Sequence, residues 1–203
     1  FDMQLITISG LDGSGKTTQL DKLERSLKDA NKKVSRFHIT EFSIAKKILG
    51  RRKENSSKPA RAVVSANSFT ITLRKIALII DATRFNQLFR KLSSGYDYLL
   101  TDRYFYDQIV NIRYLEKIND GEKIPAWQRL AEKLIKKPDI ALFIEVSPEV
   151  AVSRDRDIEQ GKQFLINKQC IFDYLIKHWE IKLINGEGTA CEVFKKIKEI
   201  SKI

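Results

Sequence analysis

The sequence predicts an α/β protein of three layers, with a five-stranded parallel sheet between layers of helix. Three observations predict this. A short apolar run at Leu5, Ile6 and Ile8 leads into Gly10, four residues, Gly15, Lys16 and Thr17, and then into a helical pattern at Leu20, Leu23 and Leu27. Five β-type segments alternate with helical ones, the order expected of parallel strands joined by crossover helices. One segment, Ile140–Val146, is apolar but for Glu145, as strands buried on both faces of a parallel sheet largely are. At 203 residues, with neither an internal repeat nor a composition break, a single domain over 1–203 is expected.

Each element has its own signal. The first helix spans roughly Lys16–Ala30. Lys33–Ile39 carries Val34, Phe37 and Ile39 and is the second strand, followed by a turn at Thr40–Ser43. Ser43 can cap a helix from Ile44 to about Arg52. Lys53–Pro59 is polar and aperiodic, as in an exposed, mobile loop. Ala60–Leu92 is the longest helical stretch, with a break expected near Ser65–Ser68. Phe69, Leu73, Ile76 and Ile80 share one of its faces, while Ile71, Leu78, Phe85, Phe89 and Leu92 point elsewhere, so it should be buried on several sides. Gly95 ends it, and Tyr96–Thr101 is the third strand, closed by Asp102-Arg103-Tyr104. Phe105 to about Asn119 is helical, and Asp120-Gly121 turns the chain. Pro125 opens a helix through Trp127, Leu130, Leu134 and Ile135 that ends at Pro138. After the fourth strand, Ser147-Pro148-Glu149 starts a short helix and Arg154–Lys162 is charged and irregular. Phe164–Trp179 is helical, Ile181–Ile184 is the last strand and Thr189–Ile203 the last helix.

Composition narrows the class of partner. Lys and Arg number 37 against 26 Asp and Glu, a net charge of +11. Such a surface attracts nucleic acid, acidic membranes or phosphorylated small molecules. The basic residues are spread along the chain, with modest clusters at Lys46–Lys47, Arg51–Lys53 and Lys195–Lys198 that read as solvated faces. No nucleic-acid module accompanies them, so no specific nucleic-acid partner is expected. No apolar run approaches the ~20 residues that span a bilayer, so no membrane association is expected either. Cys170 and Cys191 lack metal-ligand spacing and suggest a reducing cytoplasm. His38 and His178 are isolated, which argues against structural zinc. Because the first strand runs straight into the glycine-rich loop, no signal peptide is expected. Phe1 and Asp2, ahead of Met3, are expected to be an expression remnant.

The glycine-rich loop carries the first chemistry. Glycines let backbone N–H groups close on a polyphosphate, and the dipole of the following helix favours negative charge there. Lys16 would reach the β- and γ-phosphates, and the Thr17 hydroxyl would ligate Mg²⁺. The plainer alternative is a strand-to-helix turn with an exposed lysine, but strand, loop and helix together favour nucleoside triphosphate binding. Asp102 sits at the carboxyl end of the third strand, where open α/β sheets place ligands. It can hold Mg²⁺ directly or through water, and Arg103 offers a planar fork for phosphoryl oxygens. The alternative is an Asp–Arg pair capping the next helix. Asp12, inside the loop, suggests a role with Mg²⁺ water or an acceptor hydroxyl. Arg84, on the largely apolar long helix, either snorkels to solvent or lines a cleft.

Together these residues resemble the thymidylate kinase family of P-loop nucleoside monophosphate kinases, over essentially the whole chain. Gly10-Leu-Asp-Gly-Ser-Gly-Lys-Thr-Thr18 is similar to that family's phosphate loop, including its Asp12, and Asp102-Arg103-Tyr104 is similar to its Asp-Arg-Tyr signature. Arg84, eighteen residues before Asp102, falls where the family binds the acceptor's phosphate. Glu41 resembles the glutamate of an Arg-Glu-Pro turn, here flanked by Thr40 and Phe42. Pro148-Glu-Val-Ala-Val-Ser-Arg154 resembles the helix entering the lid, about 154–163, whose arginines are Arg154 and Arg156. Leu183-Ile-Asn-Gly186 resembles the final strand and its turn near adenine, which implicates Asn185. The resemblance implies a P-loop NTPase fold in which Gly10, Asp12, Gly13, Ser14, Gly15, Lys16, Thr17 and Thr18 bind ATP. It implies that Lys16, Arg103, Asp12, Asp102, Arg154 and Arg156 serve catalysis, with Thr17 and Asp102 on Mg²⁺. Asp12, Glu41, Phe42, Ile80, Arg84, Arg103 and Asn111 would face the acceptor, and the chain would form a homodimer through the long helix.

Departures accompany the resemblance. Val110-Asn111-Ile112 stands where the family has a small residue, an aromatic and a polar residue, and Ile80 stands where an aromatic stacks on thymine. Phe42, Phe105 or Tyr106 could stack instead, and Asn111 or Gln108 could read a base edge. The expectation is therefore Mg²⁺-ATP-dependent transfer to a nucleoside monophosphate, with dTMP first. The alternatives are a kinase for a different small acceptor, or a nucleotide-binding protein that has lost transfer.

Overall fold

The computed structural model describes residues 2–44, 67–118, 123–154 and 161–203. Five strands, β1 (Gln4–Gly10), β2 (Val34–His38), β3 (Tyr98–Asp102), β4 (Ile140–Glu145) and β5 (Lys182–Asn185), form one parallel sheet. Its order is β2-β3-β1-β4-β5, which puts β1 at the centre. The helices are α1 (Lys16–Asp29), α2 (Ile39–Phe42), α3 (Ser68–Leu92), α4 (Phe105–Glu116), α5 (Ala126–Leu134), α6 (Pro148–Arg154), α7 (Gly161–His178) and α8 (Ala190–Ser201).

Strand periodicity sorts the core into two layers. Ile6, Ile8, Leu100, Leu142, Ile144 and Ile184 meet Leu20, Leu23 and Leu27 of α1 and Val193 and Ile197 of α8. Leu5, Leu99 and Phe143, of opposite parity, meet α3, α4 and α7 through Phe85, Ile109 and Phe172 among others. A third cluster joins Leu11 of the glycine-rich loop to Val146, Ala151, Phe164 and Leu165. This last cluster fixes the loop against α6 and the start of α7. The same parity that sends Leu5 toward α4 sends Ser9 there too, where its hydroxyl donates to Asp107 at 2.6 Å.

The three-layer α/β fold with a five-stranded parallel sheet matches the expectation, and several boundaries move. The stretch from Thr40 is not a plain turn, because Ile39 is fully buried and Ile39–Phe42 closes one helical turn, with Ser43 N–H donating to the Ile39 carbonyl. The helix expected to reach Asn119 stops at Glu116. Lys117 takes a left-handed φ of 57°, and the N–H of Ile118 closes back on the Arg113 carbonyl. Part of the stretch expected to be irregular, from Gly161, is already the first turn of α7. The third strand pairs only from Tyr98 and includes Asp102 as its last residue, while β5 runs one residue further, to Asn185. The expected helix beyond Ile44, the loop at 53–59, the chain from 60 to 66 and the Asp120-Gly121 turn lie outside the described residues.

The long helix begins at Ser68, capped by Asn67, whose side chain accepts from Thr70 N–H at 3.0 Å. Ala77, Leu78, Asp81, Ala82, Phe85 and Phe89 are buried, whereas Phe69 is 68%, Ile76 50% and Ile80 41% exposed. Phe85 anchors the helix, with its ring 5.0–5.6 Å from those of Phe37, Tyr104 and Phe105. Phe85→Ala should cost about 3–5 kcal/mol, because it removes a buried ring and leaves a cavity that rigid neighbours cannot fill. Equilibrium denaturation checks this, and a loss below about 1 kcal/mol would mean the aromatic cluster collapses around the gap.

Candidate active site

The loop between β1 and α1 is built on two glycines. Gly13 has a φ of +82°, and a Cβ there would collide with the Ala151 carbonyl of α6. Gly15, at φ +87°, is the left-handed residue that precedes α1. Between them the Ser14 N–H donates to the Leu11 carbonyl at 3.1 Å, and the buried Ser14 hydroxyl has no partner among the described residues. Lys16 is 7% exposed and donates to the Leu11 carbonyl at 2.6 Å. Its ammonium thus folds back over its own loop.

Asp102 and Arg103 arrive from the neighbouring strand. Asp102 pairs in register with Ile8 of β1 and His38 of β2. Its carboxylate accepts from the Thr17 hydroxyl at 3.2 Å, so two hard oxygen donors converge at the helix start. Arg103 takes a left-handed φ of 62°, which costs a non-glycine residue about 1–2 kcal/mol. That turn carries its guanidinium onto Asp12, where the two form an ion pair. Arg103 N–H also donates to the Ile8 carbonyl at 3.0 Å, closing the β3 end onto β1.

Two further charged residues belong to this cluster, and neither was expected from the sequence. Asp107 is buried and accepts from Ser9 Oγ and from the Tyr104 N–H at 2.9 Å, completing a capping box at the start of α4. Lys168 of α7 is 4% exposed, with its ammonium 5.3 Å from the Phe164 ring centre and 6.0 Å from that of Phe172. Its signal was present in the sequence. Phe164, Leu165, Ile171, Phe172 and Leu175 form the apolar stripe of α7, and Lys168 interrupts it.

Electrostatics bind the cluster into one unit. Burial, and then the repulsion of Arg103, pushes the Lys16 ammonium down to about 8, against the pull of Asp12, Asp107 and Asp102. Burial and Arg103 bring Lys168 to about 8 as well, with Asp107 and Asp12 opposing. Burial would raise the Asp12 carboxyl, but Arg103, Lys16 and Lys168 outweigh it and hold the group below its usual range. Burial would lower the Arg103 guanidinium, but Asp12, Asp107 and Asp102 raise it.

The acceptor-side residues are less tightly assembled. Arg84 donates to the buried Asp81 carboxylate at 2.7 Å and to the Phe42 carbonyl at 3.3 Å, and its guanidinium lies 4.3 Å from the Phe42 ring centre. It is therefore held between Asp81 and Phe42 and does not extend alone into solvent. Phe42 packs edge-on against Phe37 at 5.0 Å. Glu41 is exposed, Ile80 turns outward, and Asn111 is half-buried with its amide oxygen unpartnered among the described residues. Phe105 and Tyr106 do not provide a stacking surface. Phe105 is fully buried against Phe85 and Tyr104, and Tyr106 stacks on Trp179 at 4.4 Å.

A separate group forms where β4 and β5 end. Arg154 donates to the Gly186 carbonyl at 2.9 Å and so points away from the Lys16–Arg103 cluster. Asn185 accepts from the Glu187 N–H at 2.9 Å, and Glu187 accepts from the Ser147 N–H at 3.0 Å. Thr18 is exposed on α1. Arg156 and residues 155–160 of the expected lid lie outside the described residues. Among the described residues no group of three or more His, Cys, Asp and Glu could hold a metal, and no helix is long and apolar enough to cross a membrane.

The buried lysines give the chain a characteristic pH response. Lys16 and Lys168 lose their protons near pH 8 in the folded chain but only near 10.5 when unfolded. The unfolded chain binds more protons across that interval, so stability should rise with pH through it. Burial raises Tyr104 and Tyr106, the latter to about 12, so unfolded tyrosines ionise first and stability should fall above about pH 10. The urea midpoint of the ligand-free chain should therefore climb from about pH 7.5 to 9.5 and then decline. A steady decline from about pH 7.5 would contradict the burial of both ammonium groups.

Residues 8–197 match the thymidylate kinase family. The chain is 27% identical to a thymidylate kinase of Prochlorococcus marinus (strain MIT 9312), over 97% of this chain and 94% of that protein. It is 28% identical to a probable thymidylate kinase of Archaeoglobus fulgidus, over 93% and 85%. With a thymidylate kinase of Caenorhabditis elegans it shares 31% identity over 74% and 66%. The family match runs from the strand before the glycine-rich loop to the last helix, and takes in the Lys16, Asp102–Arg103 and Arg84 neighbourhoods alike: the chain belongs to the thymidylate kinase family.

Proposed function

We propose that this chain is a Mg²⁺-ATP-dependent kinase that transfers the γ-phosphoryl group to a nucleoside monophosphate, converting dTMP to dTDP. The observation that carries this is the convergence of Lys16, Thr17 and Asp102 with the Asp12–Arg103 pair at the ends of β1 and β3. Membership of the family supports phosphoryl transfer to a nucleoside monophosphate, and this geometry supports the donor.

The residues present fit both expected cofactors. The tight approach of Gly13 to α6 leaves a loop of backbone N–H groups with no side chain in the way, and the unpartnered Ser14 hydroxyl adds a polar group. Gly10, Gly13, Ser14, Gly15, Lys16, Thr17 and Thr18 hold the ATP phosphates, and Asn185 lies toward the adenine. Thr17 and Asp102 supply the oxygen donors Mg²⁺ prefers, a side-chain pair of the size used when phosphates and water complete the shell. Bound there, Mg²⁺ offsets charge on the phosphate oxygens.

Catalysis of this kind is positioning and charge stabilisation. Lys16 offsets charge between the β- and γ-phosphates, and Arg103 turns its fork to the transferring group. Asp12 holds Arg103 in that orientation and meets an acceptor hydroxyl. Arg84, backed by Asp81, holds the acceptor phosphate, and Glu41, Phe42, Ile80 and Asn111 line its remaining sides. Arg154 and Arg156 are the arginines that the family resemblance assigns to the transferring group. The exposed Phe69 and Ile76 of the long helix belong to the surface through which two copies form a homodimer. The exposed free Cys170 and Cys191 fit a cytoplasmic setting.

A kinase for another small acceptor is the second reading, favoured by the outward, aliphatic Ile80. An aromatic stack on a base is worth about 1–3 kcal/mol, so its loss weakens discrimination by ten- to a hundredfold or so. ADP release measured over the common nucleoside monophosphates tests both readings. Acceptor-dependent ADP is expected, with dTMP preferred over dUMP by less than about tenfold in kcat/KM. A preference beyond about a hundredfold would mean that other residues recognise thymine; no response to any acceptor would leave a nucleotide-binding protein without transfer. In the same assay Lys16→Ala should lose roughly 3–4 kcal/mol of transition-state stabilisation, several hundredfold in rate. Activity within about threefold of the unaltered protein would remove Lys16 from the mechanism.

A further inference from the structure

Lys168 is a charged group that the reading above leaves unused. Its neighbours are the rings of Phe164 and Phe172, yet a buried ammonium is costly unless it is paired. Each acid near it already accepts a hydrogen bond from another residue, and only Asp107 keeps a buried oxygen, Oδ1, without a partner among the described residues. Asp12 is paired with Arg103, Asp102 accepts from Thr17, and Asp107 accepts from Ser9 and the Tyr104 N–H. Lys16 donates to Leu11, whereas Lys168 has neither a hydrogen bond nor an ion pair among the described residues. Its helix is seated on the loop itself, since Phe164 and Leu165, one turn before it, pack with Leu11 and Ala151. Its charge is felt by Asp12, Asp107 and Arg103.

We propose that Lys168 is a phosphate-binding residue of the transfer site, a third cation delivered by α7 beside Lys16 and Arg103. A polyphosphate anion is the ligand that reconciles three converging cations. It supplies acceptor oxygens to an ammonium that has none and relieves the repulsion that Arg103 exerts on both lysines. A further carboxylate could not do this without the burial cost of another fixed charge. The role rests on the phosphoryl-transfer reading, and it places on α7 a charge that the arginine-poor lid does not provide.

The test uses Lys168→Met, which keeps the side chain's length and suits the two rings, and Lys168→Arg, which keeps the charge. Calorimetric titration with inorganic tripolyphosphate and magnesium reads phosphate binding without requiring turnover. Lys168→Met should bind about tenfold more weakly and melt at a higher temperature than the unaltered protein, and Lys168→Arg should bind within about threefold of it. Where transfer is measurable, Lys168→Met should lower kcat by about a hundredfold, with a smaller change in the acceptor KM. Unchanged tripolyphosphate affinity in Lys168→Met would overturn the proposal. Weaker binding with a lower melting temperature, not restored by arginine, would also overturn it and make the lysine structural. Tripolyphosphate binding that depends on Lys168 in a protein that phosphorylates no acceptor would uphold this role while refuting the proposed activity.

Discussion

The Asp12–Arg103 ion pair is the constraint on which the rest of the site depends. It spans two strands that are neighbours in space but distant in sequence, and it draws the β3 end over the glycine-rich loop. A lone buried cation would be strongly unfavourable. Three cations, Lys16, Arg103 and Lys168, share their surroundings with three carboxylates, Asp12, Asp102 and Asp107, so the described cluster is formally balanced. Balance of this kind is held by geometry. The left-handed turn at Arg103 is tolerated because the ion pair and the Ile8 hydrogen bond are reached only through it.

The acceptor side follows a different logic. Its aromatic residues are spent on the core. Phe105 and Tyr104 enclose Phe85, Tyr106 is committed to Trp179, and Phe42 is covered by Phe37 on one side and Arg84 on another. Of the residues expected on the acceptor side, those not taken up by the core are an arginine with its carboxylate, an amide and an aliphatic side chain. Such a set offers a cation and a polar group but little aromatic surface for stacking.

The fold was legible because its signals are local and redundant: short apolar runs for Leu5–Ile8 and Leu99–Leu100, helical stripes for α1 and α8, and glycines where the backbone must turn left-handed. The loop and the Asp102–Arg103 corner were legible for the same reason. The partners of Arg84 were harder to foresee, since Asp81 and the Phe42 carbonyl approach it by tertiary packing, and so was the direction in which Arg154 donates. Boundaries failed where a capping interaction overrode propensity, as at Lys117, where a left-handed residue ends α4 ahead of an otherwise helical sequence. Lys168 interrupts the apolar stripe of α7, but only tertiary packing brings it near Asp12, Asp107 and Arg103.

The contact between Gly13 and Ala151 has a mechanical consequence. With no room for even a methyl group between them, the loop and the middle of α6 share one peptide's thickness of space. Interiors packed to this density transmit displacement without absorbing it. The same packing ties the loop to α6, which ends at Arg154, whose guanidinium donates to the Gly186 carbonyl, so a side chain added at Gly13 would disturb the loop, α6 and the β5 turn together.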